Sequence, residues 1–343
     1  MKNIPAIAQT LCAEIFDNLS GLPSDIPKGG YFFVKTVSGR SYVYHRIDRH
    51  GRTYDTSMGE ATEDLTAKIE RVKKSREHLA RLAAAAKGAG AAECDKVVWL
   101  LVRQLYDIGF FEAGGLIIGT NAFMAYQNVL GVKWQTGTDS LQICQTMDLD
   151  VAWNNRSTVA VPTHLAERLT EMLDGLGFVP QYSTTSKAGT PAYKNSAGYS
   201  FEVLTPEVGR PGPAVVLAPK LGRHAQSLRF LDFLIKDPLP AIAFRGESAV
   251  KLLVPAPARF AIHKIAISTV RNNPYKKQKD LIQASSLAEI LAREDPVSLA
   301  SSYREFVGRG PAWRNMLSSG VASLQTNARA AICSVAARGH DDI

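Results

Sequence analysis

The sequence predicts an α/β (α+β) protein: a mixed sheet flanked by helices, with a helical C-terminal domain and a small N-terminal β-meander plus helix. Three observations carry this. Short apolar strands alternate with helical stretches between residues 95 and 204, three aromatic-rich strand segments crowd residues 31–57, and helical patterns dominate after Pro219. The expected organisation is a meander and long helix over 1–90, a mixed-sheet core over 91–215, and a mainly helical domain over 216–343.

The chain has 343 residues, 45% hydrophobic and 21% charged, so it is long enough for a large core and offers no compositional case for disorder. Glu14 and Asp17 interrupt the N-terminal apolar run too early for a secretory leader, and no stretch reaches the roughly 18 apolar residues of a membrane span. The expectation is a cytoplasmic protein without membrane contact. Cys12, Cys94, Cys144 and Cys333 lack CxxC spacing, which argues against a zinc site or a disulfide framework and reads them as buried thiols. Between Lys220 and Asp280 there are 12 Lys or Arg against 4 Asp or Glu, an excess equal to the net charge of +8. Such a concentration suits a phosphate-bearing partner, a nucleoside triphosphate or a nucleic acid, or else a solvated basic face.

In the meander, YFFVKTV, SYVYHRI and RTYDTSM are separated by Ser38-Gly39 and His50-Gly51. Tyr42, Tyr44, His45, Arg46 and Arg49 suit either a nucleic-acid-reading module with stacking side chains or a packing and oligomerisation unit. A helix rich in Glu, Lys, Arg, Ala and Leu spans about 60–87 and breaks at Gly88-Ala89-Gly90. From Asp95 a helix carries Val97, Leu100, Leu101 and Leu105. The strand Leu116-Ile117-Ile118 then runs into Gly119-Thr120, which opens another helix. A strand over Met147–Trp153 precedes a helix from about Thr163 to Asp174, and strands near 192–194 and 199–204 are joined by Asn195-Ser196-Ala197-Gly198. Strand segments at 241–244 and 251–254 lead to a helix over Ala258–Val270, introduced by Pro255 and Pro257.

Chemistry concentrates in Asp148-Leu149-Asp150. Strand alternation points both aspartates to one side and Leu149 to the core, and two carboxylates so close call for a cation between them. Metal-assisted phosphoryl chemistry uses a further carboxylate. Glu202, flanked by apolar residues on its strand, is preferred over Glu207 beyond Pro206. Gly119 lets a phosphate approach the backbone, and Thr120 is positioned to cap the following helix and offer its hydroxyl. Lys133, Trp134 and Gln135 are possible pocket-lining residues or part of an ordinary surface loop. His164, His224 and His263 lack ligand spacing and read as ordinary residues, while Tyr275 beside Lys276 and Lys277 suggests base stacking.

The runs LIIGTNAFMAY, TMDLDVAW and FEVLTP resemble the hG[GST], DhDh and h[DE]h signature of the polymerase-beta-like nucleotidyltransferase superfamily. With VPAPARFAIHKIAIS and KKQKDLIQA, the chain over roughly 95–290 is similar to a bacterial group of nucleotidyltransferase-fold proteins related to abortive-infection toxins. Thr120 stands where many members have Ser, and Glu202 where Asp is common; both keep the chemical function. The likeness implies a motif matched by Lys264, Ile265, Ala266, Arg271, Lys279 and Asp280. If one helix holds Lys264 and Arg271, seven apart, both share a face and reach phosphates, with Asp280 as their partner.

The resemblance implies transfer of a nucleoside monophosphate from a nucleoside triphosphate to an acceptor hydroxyl. Asp148, Asp150 and Glu202 would be catalytic and bind Mg²⁺ or Mn²⁺, and Gly119, Thr120, Lys264, Arg271, Lys279 and Asp280 would bind the nucleotide. RNA such as tRNA is the favoured acceptor, reached through the basic 220–280 segment, with an antitoxin-like protein as a further partner. The alternative is a nucleotide- or nucleic-acid-binding protein that keeps the fold without turnover.

Overall fold

The computed structural model describes residues 2–338 apart from 24, 28, 50, 51, 135–143, 145, 163, 183–188, 208, 210 and 211. The N-terminal part consists of β1 (Lys2–Asn3), α1 (Ala6–Ser20), the antiparallel strands β2 (Tyr31–Val37), β3 (Arg40–Arg49) and β4 (Arg52–Glu60), and the long helix α2 (Glu63–Gly88). Thr62 caps α2 by accepting from the Leu65 amide, Glu63 and Asp64 sit in its first turn, and Lys87 sits in its last, so both helix ends carry charge that suits the dipole. Apolar residues of α2 bury in two directions. Ile69 and Val72 pack under the meander with Phe32 and Val43, while Leu79, Leu82 and Ala83 pack with Ala8, Cys12 and Ile15 of α1.

Helix α3 (Lys96–Asp107) starts at Asp95, whose side chain accepts from the Val97 and Val98 amides. It leads to β5 (Leu116–Ile117), α4 (Gly119–Val129) and β6 (Val132–Lys133), which pairs with β1. Then come β7 (Asp148–Ala152), α5 (Leu165–Gly175), β8 (Val179–Pro180), β9 (Ala192–Lys194) and β10 (Ser200–Pro206). The strands β11 (Val215–Ala218) and β12 (Arg223–Leu228) follow. Among the described residues these build a seven-stranded mixed sheet ordered β11-β12-β10-β7-β5, with β9 on the first half of β10 and β8 beside it. β7, β10 and β12 are parallel, while β5, β9 and β11 run against their neighbours. The strands β11 and β12 are absent from the sequence reading, because His224, Gln226 and Ser227 dilute the apolar alternation there.

After the short helix α6 (Leu231–Leu234), the hairpin β13 (Leu239–Arg245) and β14 (Ser248–Val254) packs Ile242 and Phe244 against α1 and α2. Its Ala241, Val250 and Leu252 face the main core. The described residues that follow form the helices α7 (Pro257–Ser268), α8 (Pro274–Glu294), α9 (Pro296–Gly308), α10 (Pro311–Ala322) and α11 (Thr326–Arg338). Four of these five open on proline, which loses no helical hydrogen bond in the first turn. α10 crosses α7 at Gly320, where a Cβ would lie 2.2 Å from the Ile265 carbonyl oxygen, so only glycine permits that approach.

Sheet and C-terminal helices share one core that contains Leu149, Phe201, Phe260, Leu287 and Phe306. Phe123 of α4 stacks on Trp134 at 4.3 Å and on Phe260 of α7 at 6.4 Å, and the Tyr126 hydroxyl donates to the Pro255 carbonyl at 2.8 Å. These contacts fix α4, which begins at Gly119, against the helix that carries Lys264. Phe123→Ala leaves a cavity between two rings and is expected to cost about 3–5 kcal/mol in chemical denaturation, whereas Tyr126→Phe costs about 1 kcal/mol.

Candidate active site

The central strand β7 reads D-L-D-V-A. Leu149 and Val151 are 1% and 0% exposed, while Asp148 is exposed and Asp150 half-buried on the other side. Parallel pairing with β10 sets Glu202 opposite Asp150 and Ser200 opposite Asp148. On the other flank, the Ile118 amide donates to the Asp150 carbonyl at 3.0 Å, which carries the chain into Gly119. That glycine has φ +64°, and a Cβ on it would lie 2.7 Å from Asp150 Oδ2. Both its backbone and the space beside it therefore demand glycine.

The expected cap of α4 is corrected. Ile118 occupies the N-cap position with no side-chain cap, and Thr120 sits inside the first turn. The Thr120 hydroxyl accepts instead from Gln283 Nε2 of α8 at 3.4 Å. A first turn with no side-chain cap keeps a helix N-terminus free to meet an anion.

The electrostatics follow from crowding like charges in a partly dry place. Burial, then the neighbouring Asp148, raise the Asp150 carboxyl above its ordinary range against the opposing charges of Lys264, Lys276 and Arg271. Glu202 is pushed up to about 7 by burial and then by Asp150, with Asp148 adding to the effect and Lys276 opposing it. Among the described residues no group of three or more His, Cys, Asp or Glu forms a ready metal cage. Asp150 and Glu202 are level on adjacent strands with Asp148 two residues before Asp150, and hard carboxylate oxygens are the donors a divalent cation takes, few of them being needed where substrate phosphates share the ion.

Facing the carboxylates are cations from α7, α8 and the turn between them. Lys264 forms an ion pair with Asp280, and Arg271 Nε donates to the other Asp280 oxygen at 2.9 Å. Burial alone would raise the Asp280 carboxyl, but the charges and hydrogen bonds of Lys264 and Arg271 outweigh it and hold it below the usual range. The expectation that Lys264 and Arg271 share a helical face is corrected: α7 ends at Ser268, and Arg271 lies beyond its C-cap. The two meet through Asp280 rather than through helical spacing. Lys279 is half-buried, and burial, then Lys264, lower its pKa against the field of Asp148.

Two contributors escape the sequence reading, and a third, Lys276, enters it only as a neighbour of Tyr275. Asn121 Nδ2 donates to the Asp148 carbonyl at 2.8 Å, Gln283 is fully buried against Thr120, and Lys276 acts on both Asp150 and Glu202. Asn121 carries a faint signal as the residue that follows the Gly-Thr turn. Gln283 carries none, since its partner lies 163 residues away. A cavity of about 500 Å³ opens beside the aspartates, bounded by Asn121, Thr146, Met147 and Tyr199 and walled by Met124 and Ile242.

Other candidates lie elsewhere. Glu207 is held by the Gly212 amide at 3.0 Å and by Arg229 at 2.9 Å. Trp134 is a core residue whose Nε1 donates to the Phe123 carbonyl, Lys133 is exposed in β6, and Gln135 lies outside the described residues. His164 bonds Glu167 in the open, and burial lowers His263 to about 3, so it stays neutral. Cys12 is buried, yet Cys333 is exposed. Much of the basic excess in 220–280 is engaged inside the chain: Arg229 by Glu207, Lys236 and Arg259 by Glu305, and Arg245 by the Cys94 carbonyl.

Carboxylates opposed by lysine and arginine beside an α/β sheet are a charge arrangement that suits a phosphate-bearing molecule. Residues 96–308 match the family model described as Nucleotidyltransferase (NTP_transf_8), and the chain belongs to that nucleotidyltransferase family. No curated protein matches the chain. Among solved structures, an antigenic nucleotidyltransferase-like protein from Paracoccidioides brasiliensis is similar at 15% identity and a TM-score of 0.31, over 65% of this chain and 90% of that one. Among the described residues no helix is long and apolar enough to cross a membrane.

The raised Glu202 pKa has a definite sign. The folded chain holds that proton more tightly than the unfolded one, so its contribution to stability is complete below the ordinary value of 4.5 and is lost as pH rises through about 7. Without divalent cation, Glu202→Gln is expected to be the more stable form at pH 8 by on the order of 2 kcal/mol and to converge with wild type near pH 4, read by denaturation across pH.

Proposed function

We propose that this nucleotidyltransferase moves a nucleoside monophosphate from a nucleoside triphosphate to an acceptor hydroxyl and releases pyrophosphate. The observation that carries the reading is the register that sets Glu202 beside Asp150, with Gly119 against the same carboxylate. Mg²⁺ or Mn²⁺ held by Asp148, Asp150 and Glu202 would neutralise the phosphate oxygens and activate the phosphorus for in-line attack. The chain's own residues do the rest. Gly119 and the first turn of α4 receive the phosphates on the backbone, and Asn121 holds the start of β7 in place. Lys264, Arg271 and Lys279 offset the charge of the departing pyrophosphate, with Asp280 keeping the first two aligned.

Glu202 accepts the proton of the acceptor hydroxyl on its carboxylate oxygen. The acceptor oxygen then bonds to the α-phosphorus as the bond to pyrophosphate breaks. RNA, tRNA included, is the acceptor this reading favours over protein or small molecules. The resemblance to abortive-infection toxins and the net charge of +8 support that choice. In the same reading the protein acts as a cytoplasmic toxin countered by an antitoxin-like partner.

Incubation with each of four labelled triphosphates, Mg²⁺ or Mn²⁺ and bulk RNA or protein tests the proposal. Wild type is expected to label RNA from at least one triphosphate, and Asp148→Ala/Asp150→Ala to lose about 10³-fold or more of that rate. Equal incorporation by both proteins overturns the catalytic assignment. Mg²⁺-dependent triphosphate binding without transfer to any acceptor identifies a binding protein that keeps the fold without turnover.

A further inference from the structure

The β2–β3–β4 sheet has two unlike faces. One packs Phe32 and Val43 on Ile69 and Val72 of α2, which accounts for the stability of the unit. By register, the other carries Tyr31, Phe33, Lys35 and Val37 of β2, Arg40, Tyr42, Tyr44 and Arg46 of β3, and Asp55 of β4. Tyr31, Lys35, Val37 and Arg40 on this face are exposed, and Phe33, Tyr42, Tyr44 and Arg46 half-buried. Cross-strand aromatic pairs do stabilise sheets, but that role leaves open why so many rings stand on the side away from the core.

Their arrangement is ordered. Phe33 and Tyr44 lie 5.6 Å apart at 21°, and Tyr31 lies 6.2 Å from Phe33. The Arg46 guanidinium sits 4.7 Å over Phe33 and 5.7 Å over Tyr31, donates to the Tyr31 hydroxyl at 3.0 Å, and is held from the other side by Asp55. Planar groups thus follow one another across two strands, already ordered in the free protein. Lys35 and Arg40 stand on this face as exposed cations. The sheet is also tied to the catalytic core. His45 Nε2 bonds the Gly29 carbonyl at 2.8 Å, Arg76 donates to the Gly29 and Gly30 carbonyls, and Gly29 abuts Asp107 at the end of α3.

We infer that this face is a stacking platform for single-stranded RNA, the acceptor in the proposed reaction. The inference rests on the RNA reading of the acceptor. Rings and a fixed guanidinium offer π-faces to successive bases without regard to sequence, and Lys35 and Arg40 meet the phosphates. A duplex presents no free base faces and is expected to bind more weakly.

The test is fluorescence anisotropy with a labelled single-stranded oligoribonucleotide and a duplex of equal length across a salt series. Tyr31→Ala/Tyr44→Ala is expected to weaken single-strand binding about tenfold or more, and Tyr31→Phe/Tyr44→Phe to stay within about twofold of wild type. Lys35→Ala/Arg40→Ala is expected to flatten the salt slope by about 1.4. If the alanine pair does not fold, as read by its melting profile, Lys35→Glu/Arg40→Glu must weaken binding instead. Wild type that ignores the single strand, binds the duplex equally, or binds undiminished in the folded tyrosine variant overturns the platform. Asp148→Ala/Asp150→Ala separates the two readings. RNA binding retained while Mg²⁺-triphosphate binding is lost supports both the platform and the metal-dependent site, RNA binding retained with triphosphate binding undiminished supports the platform and overturns the metal-dependent site, and RNA binding lost with triphosphate binding assigns the RNA to the active site and overturns the platform.

Discussion

The register between β7 and β10 is the constraint on which the rest of the site depends. It sets Glu202 level with Asp150 in adjacent parallel strands, where hydrogen bonding leaves neither strand free to slide. A one-residue shift would turn Glu202 toward the core and Phe201 toward the aspartates. With the register fixed, the carboxyls share a partly dehydrated corner, and burial first, then the neighbouring carboxylates, raise the Asp150 and Glu202 pKa values. Gly119 follows from the same constraint, since any side chain there would occupy the place of Asp150 Oδ2.

The cations opposite are arranged by a second buried carboxylate. Asp280, 3% exposed, holds Lys264 and Arg271 from two different elements, so the positive wall is assembled before a substrate arrives. A buried acid with two cations leaves net positive charge facing the aspartates, which is the sign a triphosphate requires. The aromatic stack of Trp134, Phe123 and Phe260 then keeps α4 and α7 at a fixed separation, so both walls of the cleft answer to one core.

Legibility in the sequence followed the range of each interaction. The shared side of Asp148 and Asp150 was readable because strand alternation is local, and the place of Gly119 because a turn into a helix has a short signature. The strand that carries Glu202 was readable from its apolar neighbours. The joint between Lys264 and Arg271 was misread, since a helix boundary near Ser268 decides it and boundaries are weakly encoded. Gln283 and Lys276 were not legible as site residues, because only the folding of α8 back over the sheet brings them there. The basic excess of 220–280 suggested one continuous surface, whereas folding places acids such as Glu207 and Glu305, from outside that segment, against several of its cations.

The central claim is that the β7 and β10 carboxylates hold divalent cation together with triphosphate. Crystals grown with Mn²⁺ and a non-hydrolysable nucleoside triphosphate test it through the anomalous signal of manganese. The account predicts manganese on Asp148, Asp150 and Glu202, with phosphate oxygens between it and the Gly119-Thr120 turn. Triphosphate bound at full occupancy with no manganese on those carboxylates, or bound away from that turn, would contradict it.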